Sequence, residues 1–150
     1  IDAINLRARQ RIIELVRKDL SDDLQGKKVA ILGAAFKPDS DDVRDSPALD
    51  IAAQIQAAGA TVTVHDPKAI ANAQKRFPAL NFADDVNTTL KDAEIVLHLT
   101  EWKIYREIDP VKVKSIVKTP IIIDGRNALD RELWQSAGWK FRALGRSHNE

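Results

Sequence analysis

The run Lys28-Val29-Ala30-Ile31-Leu32-Gly33 constrains the fold more than any other stretch of this chain. It is short, apolar without a break after its first residue, rich in β-branched side chains and closed by glycine. That is the pattern of a strand buried on both faces and feeding a turn. A long polar loop follows over residues 37–45. Ser46-Pro47 then reads as an N-cap and first helical residue. Leu49, Ile51, Ala52 and Ile55 carry that helix to a stop at Ala58-Gly59. Thr61-Val62-Thr63-Val64-His65-Asp66-Pro67 reads as a second strand, with Asp66 at its carboxyl end. Strand, helix and strand of these lengths make a βαβ unit, whose strands run parallel.

The alternation continues. Helices are expected over 69–76 and 84–90, and a short helix or turn over 111–117, with a further helix over 129–136. Between them lie strand-like runs at Ala93-Glu94-Ile95-Val96-Leu97-His98-Leu99, Pro120-Ile121-Ile122-Ile123-Asp124-Gly125 and Trp139-Lys140-Phe141-Arg142-Ala143-Leu144. Ahead of the first strand, Ile4, Ala8, Ile12, Leu15 and Val16 recur at helical spacing within residues 1–20. That helix is either a surface element packed on the domain or half of a linker or dimer helix. Ser21-Asp22-Asp23-Leu24-Gln25-Gly26 ends it. The pattern predicts an α/β fold: a Rossmann-like parallel sheet with helices on both faces, preceded by an N-terminal helix. Residues 1–25 form the helix and linker, and 26–150 the domain.

Composition narrows the function. A chain of 150 residues suits one compact domain. A net charge of +1 gives no bulk argument for nucleic acid or an anionic membrane as partner. No apolar run approaches the roughly 18 residues that cross a bilayer. The start, Ile1-Asp2-Ala3-Ile4-Asn5, lacks the basic and apolar regions of a signal peptide, so a cytoplasmic location is the default expectation. Without Cys the chain holds no disulfide, thiolate metal site or thiol nucleophile. Without an initial Met, it is expected to be a fragment or a processed product.

In open α/β sheets ligands bind beyond the carboxyl ends of the strands. Three segments should therefore meet at one edge: the stretch from Gly33 to Pro47, Thr100-Glu101-Trp102, and Asp124-Gly125-Arg126-Asn127. The first is not a dinucleotide fingerprint, because G-x-G-x-x-G needs three glycines and only Gly33 is present. It carries Lys37 and Arg44 instead. These suit phosphate oxygens, or else form local ion pairs in a solvated loop. Trp102 could stack on a base or fill the core. Arg126 could clamp phosphate or partner Asp124. His65 and His98 read as satisfied sheet residues. No His/Asp/Glu cluster has metal-ligand spacing, and no nucleophile is evident.

Ala35-Phe36-Lys37-Pro38-Asp39-Ser40-Asp41-Asp42-Val43-Arg44-Asp45-Ser46-Pro47 closely resembles the signature of the C-terminal domain of the UDP-glucose/GDP-mannose dehydrogenase family. Ala34 and Asp45 depart mildly from it, since the family usually has Leu and Glu there. Thr100-Glu101-Trp102 and Asp124-Gly125-Arg126-Asn127 match in the same order and look like the UDP-glucose branch rather than the GDP-mannose or UDP-N-acetylmannosamine branches. Asn5 and Arg9-Gln10-Arg11 look like the end of the helix that joins the halves of these enzymes. The resemblance implies a substrate, UDP-glucose, oxidised to UDP-glucuronate by a homodimer that reduces NAD. It implies an N-terminal domain, absent here, that binds NAD and carries the catalytic Cys, so this chain alone should be inactive. It also implies that Phe36, Lys37 and Arg126 contact the nucleotide sugar and that Arg44 reaches NAD on the other domain.

Overall fold

The structure, a computed structural model, describes residues 4–144; residues 1–3 of the expected helix and 145–150 of the expected domain lie outside the described residues. The apolar runs form six strands: β1 (Lys28–Leu32), β2 (Thr61–His65), β3 (Asn81–Phe82), β4 (Ile95–His98), β5 (Ile121–Asp124) and β6 (Lys140–Ala143). All pair in parallel, in the order β3-β2-β1-β4-β5-β6. At the centre, Leu32 of β1 lies between His65 and His98. Chain order runs outward from β1 to one side, then from β4 to the other. Right-handed crossovers therefore set the helices of the two halves on opposite faces. Between β1 and β4 the connections leave in opposite directions and open a crevice at the carboxyl edge.

The helices are α1 (Leu6–Asp19), α2 (Pro47–Ala57), α3 (Ile70–Arg76), α4 (Val86–Leu90), α5 (Lys103–Arg106), α6 (Pro110–Lys114) and α7 (Arg131–Ser136). Ser46 caps α2 as expected, accepting from the Leu49 N–H, with Pro47 at the first position. The same hydroxyl donates to the Ala34 carbonyl at 2.7 Å, which ties the start of α2 to the turn after β1.

The first helix packs on the domain. Asn5 caps α1 through the Ala8 N–H, and Ile12, Leu15 and Val16 are fully buried. The helix lies against α2 and β5. The side chain of its last residue, Asp19, is covered and accepts from Arg142 Nε at 2.7 Å, Arg142 Nη2 at 2.8 Å and Lys140 Nζ at 2.9 Å.

Two elements, β3 and α5, have no counterpart in the sequence reading. β3 is two residues long, too short for an alternating pattern to register, and exists because it adds to the edge of β2. α5 is a single turn with no side-chain cap. The parallel sheet, the surrounding helices and the leading helix agree with expectation.

Candidate functional site

The three segments expected at one sheet edge do meet there. Gly33 has a φ of 112°, and a Cβ at that position would fall 2.5 Å from Thr100 Cβ and 2.6 Å from its backbone nitrogen. Glycine is required by both backbone conformation and space. Thr100 Oγ1 then donates to the Ala35 carbonyl at 2.8 Å, joining the turns after β1 and β4. Next to it, Arg126 donates from Nε to Glu101 Oε1 and from Nη2 to Glu101 Oε2, both at 3.0 Å, joining the turns after β4 and β5. Packing of α1 supports this edge from below, since Ile12 Cδ1 would lie 3.1 Å from a Cβ at Gly125.

Two buried carboxylates hold the turns in shape. Asp66 Oδ2 accepts from the Ala34 N–H, the Ala35 N–H and Trp102 Nε1 at 2.8, 2.9 and 3.1 Å. Its Oδ1 accepts from the Lys68 and Ala69 N–H groups at 2.9 and 2.8 Å. These five donors more than fill the roughly four lone-pair sites of a carboxylate. Trp102 is thus a core residue whose indole N–H is spent on Asp66. Asp124 Oδ1 takes His98 Nδ1 at 2.8 Å and the Arg126 N–H at 3.0 Å, and Oδ2 takes the Ala128 and Leu129 N–H groups at 2.8 Å each. Burial pushes the Asp124 carboxyl up, but His98 and the backbone donors outweigh it and hold the group below its usual range.

His65 and His98 are both buried in the sheet, but only His65 is satisfied as read. His65 Nδ1 lies 2.8 Å from the Tyr105 hydroxyl, and burial lowers its pKa. Tyr105 in turn donates to the His65 carbonyl at 3.1 Å, and burial pushes its phenol up, so it stays protonated. His98 Nε2 has no hydrogen-bond partner among the described residues. With Asp124 ionised, Nδ1 carries the proton of the His98–Asp124 hydrogen bond.

These turns do not fit the usual dinucleotide seat. The N–H groups of Ala34 and Ala35, which would face a pyrophosphate, are consumed by Asp66. Asp66, at the end of β2 where a ribose-binding acid would stand, is buried and saturated.

Phe36 is 38% exposed, and its N–H donates to the Asp42 carbonyl at 2.8 Å, folding the loop after β1 on itself. Lys37 is exposed and forms no side-chain hydrogen bond or ion pair among the described residues. Arg44 is 75% exposed and pairs through Nε and Nη2 with the Asp42 carboxylate, at 3.1 and 2.9 Å. The guanidinium hydrogen bond holds the Asp42 carboxyl at about 2. For Arg44 the local ion pair is therefore the geometry adopted. It lines an open groove of about 500 Å³ with Asn72, Lys75 and Arg76 of α3.

Asp124 accepts the Arg126 backbone N–H, and the Arg126 side chain pairs with Glu101. Sequence reasoning quoted Glu101 and Asp66 without a role for either. An acid and a base at the carboxyl ends of adjacent strands was the signal for the Glu101–Arg126 pair.

The sequence model described as "UDP-glucose/GDP-mannose dehydrogenase family, UDP binding domain" matches residues 30–131. The chain belongs to the UDP-glucose/GDP-mannose dehydrogenase family. It is 38% identical over 124 residues to a UDP-glucose 6-dehydrogenase of Rhizobium meliloti (strain 1021), covering 83% of this chain and 28% of that protein. It is 40% identical over 124 residues to UDP-glucose 6-dehydrogenase TuaD of Bacillus subtilis (strain 168), covering 82% of this chain and 27% of that protein. Among solved structures, a UDP-glucose dehydrogenase from Pyrobaculum islandicum superposes with a TM-score of 0.78 at 27% identity, over 93% of this chain and 30% of that one. The chain thus spans under a third of the length of these dehydrogenase-family relatives. The resemblance carried by the sheet-edge segments and the sequence match to the family coincide, since all three segments fall within the matched residues or overlap them.

Proposed function

We propose that the chain is the C-terminal nucleotide-sugar-binding domain of an NAD-dependent UDP-glucose 6-dehydrogenase, the enzyme that takes UDP-glucose to UDP-glucuronate. The observation that carries this reading is the convergence of the three signature segments on one crevice, through the Ala35–Thr100 and Glu101–Arg126 contacts. Relatives named UDP-glucose 6-dehydrogenase support the substrate. A second reading has support of its own. An NDP-N-acetyl-D-galactosaminuronic acid dehydrogenase from Methanosarcina mazei Go1 superposes with a TM-score of 0.79 at 28% identity. Another nucleotide sugar, or a nucleotide-binding module without chemistry, are the alternatives.

In this reading Phe36, Lys37 and Arg126 contact the nucleotide sugar. Lys37 supplies a point charge and Arg126 a planar donor set, which is what diphosphate and hydroxyl oxygens accept. Arg44 reaches the nicotinamide cofactor on an N-terminal domain that carries the catalytic Cys, and the isolated chain is inactive. This fits the saturated Asp66 and the missing glycine fingerprint, which leave this domain without the usual dinucleotide seat. The whole enzyme is a cytoplasmic homodimer whose site completes itself when the domains close.

Calorimetric titration of the chain with UDP, GDP and NAD tests the assignment. Binding of UDP in preference to the other two is the expected result, and preference for GDP or NAD would refute it. In the whole enzyme, Lys37→Ala or Arg126→Ala should weaken nucleotide-sugar binding by about 1–3 kcal/mol. Arg44→Ala should instead raise the NAD requirement. Unchanged values would remove the residue concerned from the site.

A further inference from the structure

The loop between β1 and α2 supplies an anion to its own cation. Asp42 Oδ1 accepts from the Arg44 backbone N–H at 2.9 Å and from Nε at 3.1 Å, and Oδ2 accepts from Nη2 at 2.9 Å. This is the two-pronged contact that a guanidinium makes with a carboxylate or a phosphate. Asp42 is the fixed member. Its N–H donates to Ser40 Oγ at 3.0 Å, and its carbonyl accepts from the Phe36 N–H at 2.8 Å. The Asp41 carbonyl before it accepts from Asn72 Nδ2 of α3 at 2.9 Å. Arg44 is the free member: its side chain is largely exposed, and Asp42 is its one hydrogen-bonding partner among the described residues. An ion pair this exposed contributes little to stability, so a solute anion can compete for it.

The pair lines the open groove of about 500 Å³ beside α3. Lys75 and Arg76 line it too, and neither makes a side-chain hydrogen bond or close ion pair among the described residues. The charge of Arg76 also acts on the Asp42 carboxyl. A solute anion in this groove meets three cations, one of them held by a tethered carboxylate.

We infer that Asp42 stands in for the anionic group of a ligand: it holds Arg44 in the ligand-free domain and yields it to a diphosphate that enters the groove between the loop and α3. A carboxylate brings a single charge, and a diphosphate brings more charge and more acceptor oxygens than one guanidinium takes up. The exchange therefore selects against ligands whose only anion is a carboxylate. It rests on the proposed function for the ligand's identity, the diphosphate of the nicotinamide cofactor, though not for the exchange itself.

Inorganic pyrophosphate is the probe, titrated into the 150-residue chain and read by NMR at the backbone amides of Arg44, Lys75 and Arg76. Asp42→Asn keeps an Oδ1 acceptor for the Arg44 N–H and removes the charge that holds the guanidinium. Affinity should rise about fivefold, the fold-change at the upper end of what an exposed pair contributes. Asp41→Asn makes the same change of charge in the same groove without touching Arg44, and should alter affinity about twofold or less. Arg44→Ala should weaken binding, and Asp42→Asn added to it should bring no gain. An equal rise in Asp41→Asn would mean that net charge alone is at work, and a gain that survives Arg44→Ala would mean that Asp42 repels the ligand directly. Either result overturns the inference, as does acetate binding as tightly as pyrophosphate, or no shift at those amides in any variant. Unchanged affinity in Arg44→Ala overturns it even if Asp42→Asn loosens the loop. In the whole enzyme, Asp42→Asn should lower the NAD concentration required. An unchanged requirement beside the fivefold rise would refute the cofactor assignment of Arg44 and leave the exchange standing.

Discussion

Asp66 shows how a single side chain settles what a turn can do. Its carboxylate accepts donors from the turns after β1, β2 and β4 at once. A group with this position in other parallel α/β domains can face a ribose, but here every acceptor site points inward. Asp66→Asn would put a donor amide where only N–H groups arrive, leaving buried donors opposed. We expect a loss of about 2–4 kcal/mol of unfolding free energy. Urea unfolding followed by tryptophan emission measures this, with Trp102 one of the three reporting indoles. A loss below about 0.5 kcal/mol, the level of an ordinary surface change, would contradict the hub role.

At the scale of elements, α1 is fixed to the domain at both ends by ion pairs of different quality. Near its start, Arg9 pairs with Asp50 of α2 at 3.0 Å, where Asp50 is 38% exposed. At its end, Asp19 is buried against Arg142 of β6. The first pair is partly solvated and contributes little. The second holds two desolvated charges, so removing one strands the other. Asp19→Ala should cost about 3–5 kcal/mol, whereas Arg9→Ala should cost about 1 kcal/mol or less. Comparing the two unfolding midpoints checks the contrast, and similar costs would refute it. Since Ile12 also packs near Gly125, loosening α1 should reach the turn that carries Arg126.

For the whole molecule, the paired carboxylates and His65 set the response to acid. Asp19, Glu101 and Asp124 all titrate below their unfolded values of 3.8, 4.5 and 3.8. In each, burial opposes ionisation and the paired donors overcome it. Their contribution is present above those unfolded values and is lost as pH falls below them, because the unfolded chain takes up protons first. His65 works in the same direction at higher pH. Burial lowers its pKa, so below 6.5 the unfolded chain binds a proton that the folded chain resists. Unfolding free energy should therefore decline from about pH 6.5 and fall more steeply below about pH 4. A series of urea titrations between neutral pH and pH 3 measures it, and a flat profile would contradict the account.

Local physics made much of this molecule legible without coordinates. The hydroxyl of Ser46 and the fixed φ of Pro47 start α2, Gly59 ends it with a φ of 110°, and the β-branched runs become β1, β2, β4 and β5. Each depends on residues a few positions apart, and the three sheet-edge segments could be named because every parallel strand must end at the same edge. What only the tertiary structure decided were the partners: Glu101 with Arg126, His98 with Asp124, Asp66 with Trp102, and Asp19 with Arg142. These pairs lie 25 to 123 positions apart. No local preference links them, and they form because the strand order sets β4 between β1 and β5 and lays the end of α1 against β6.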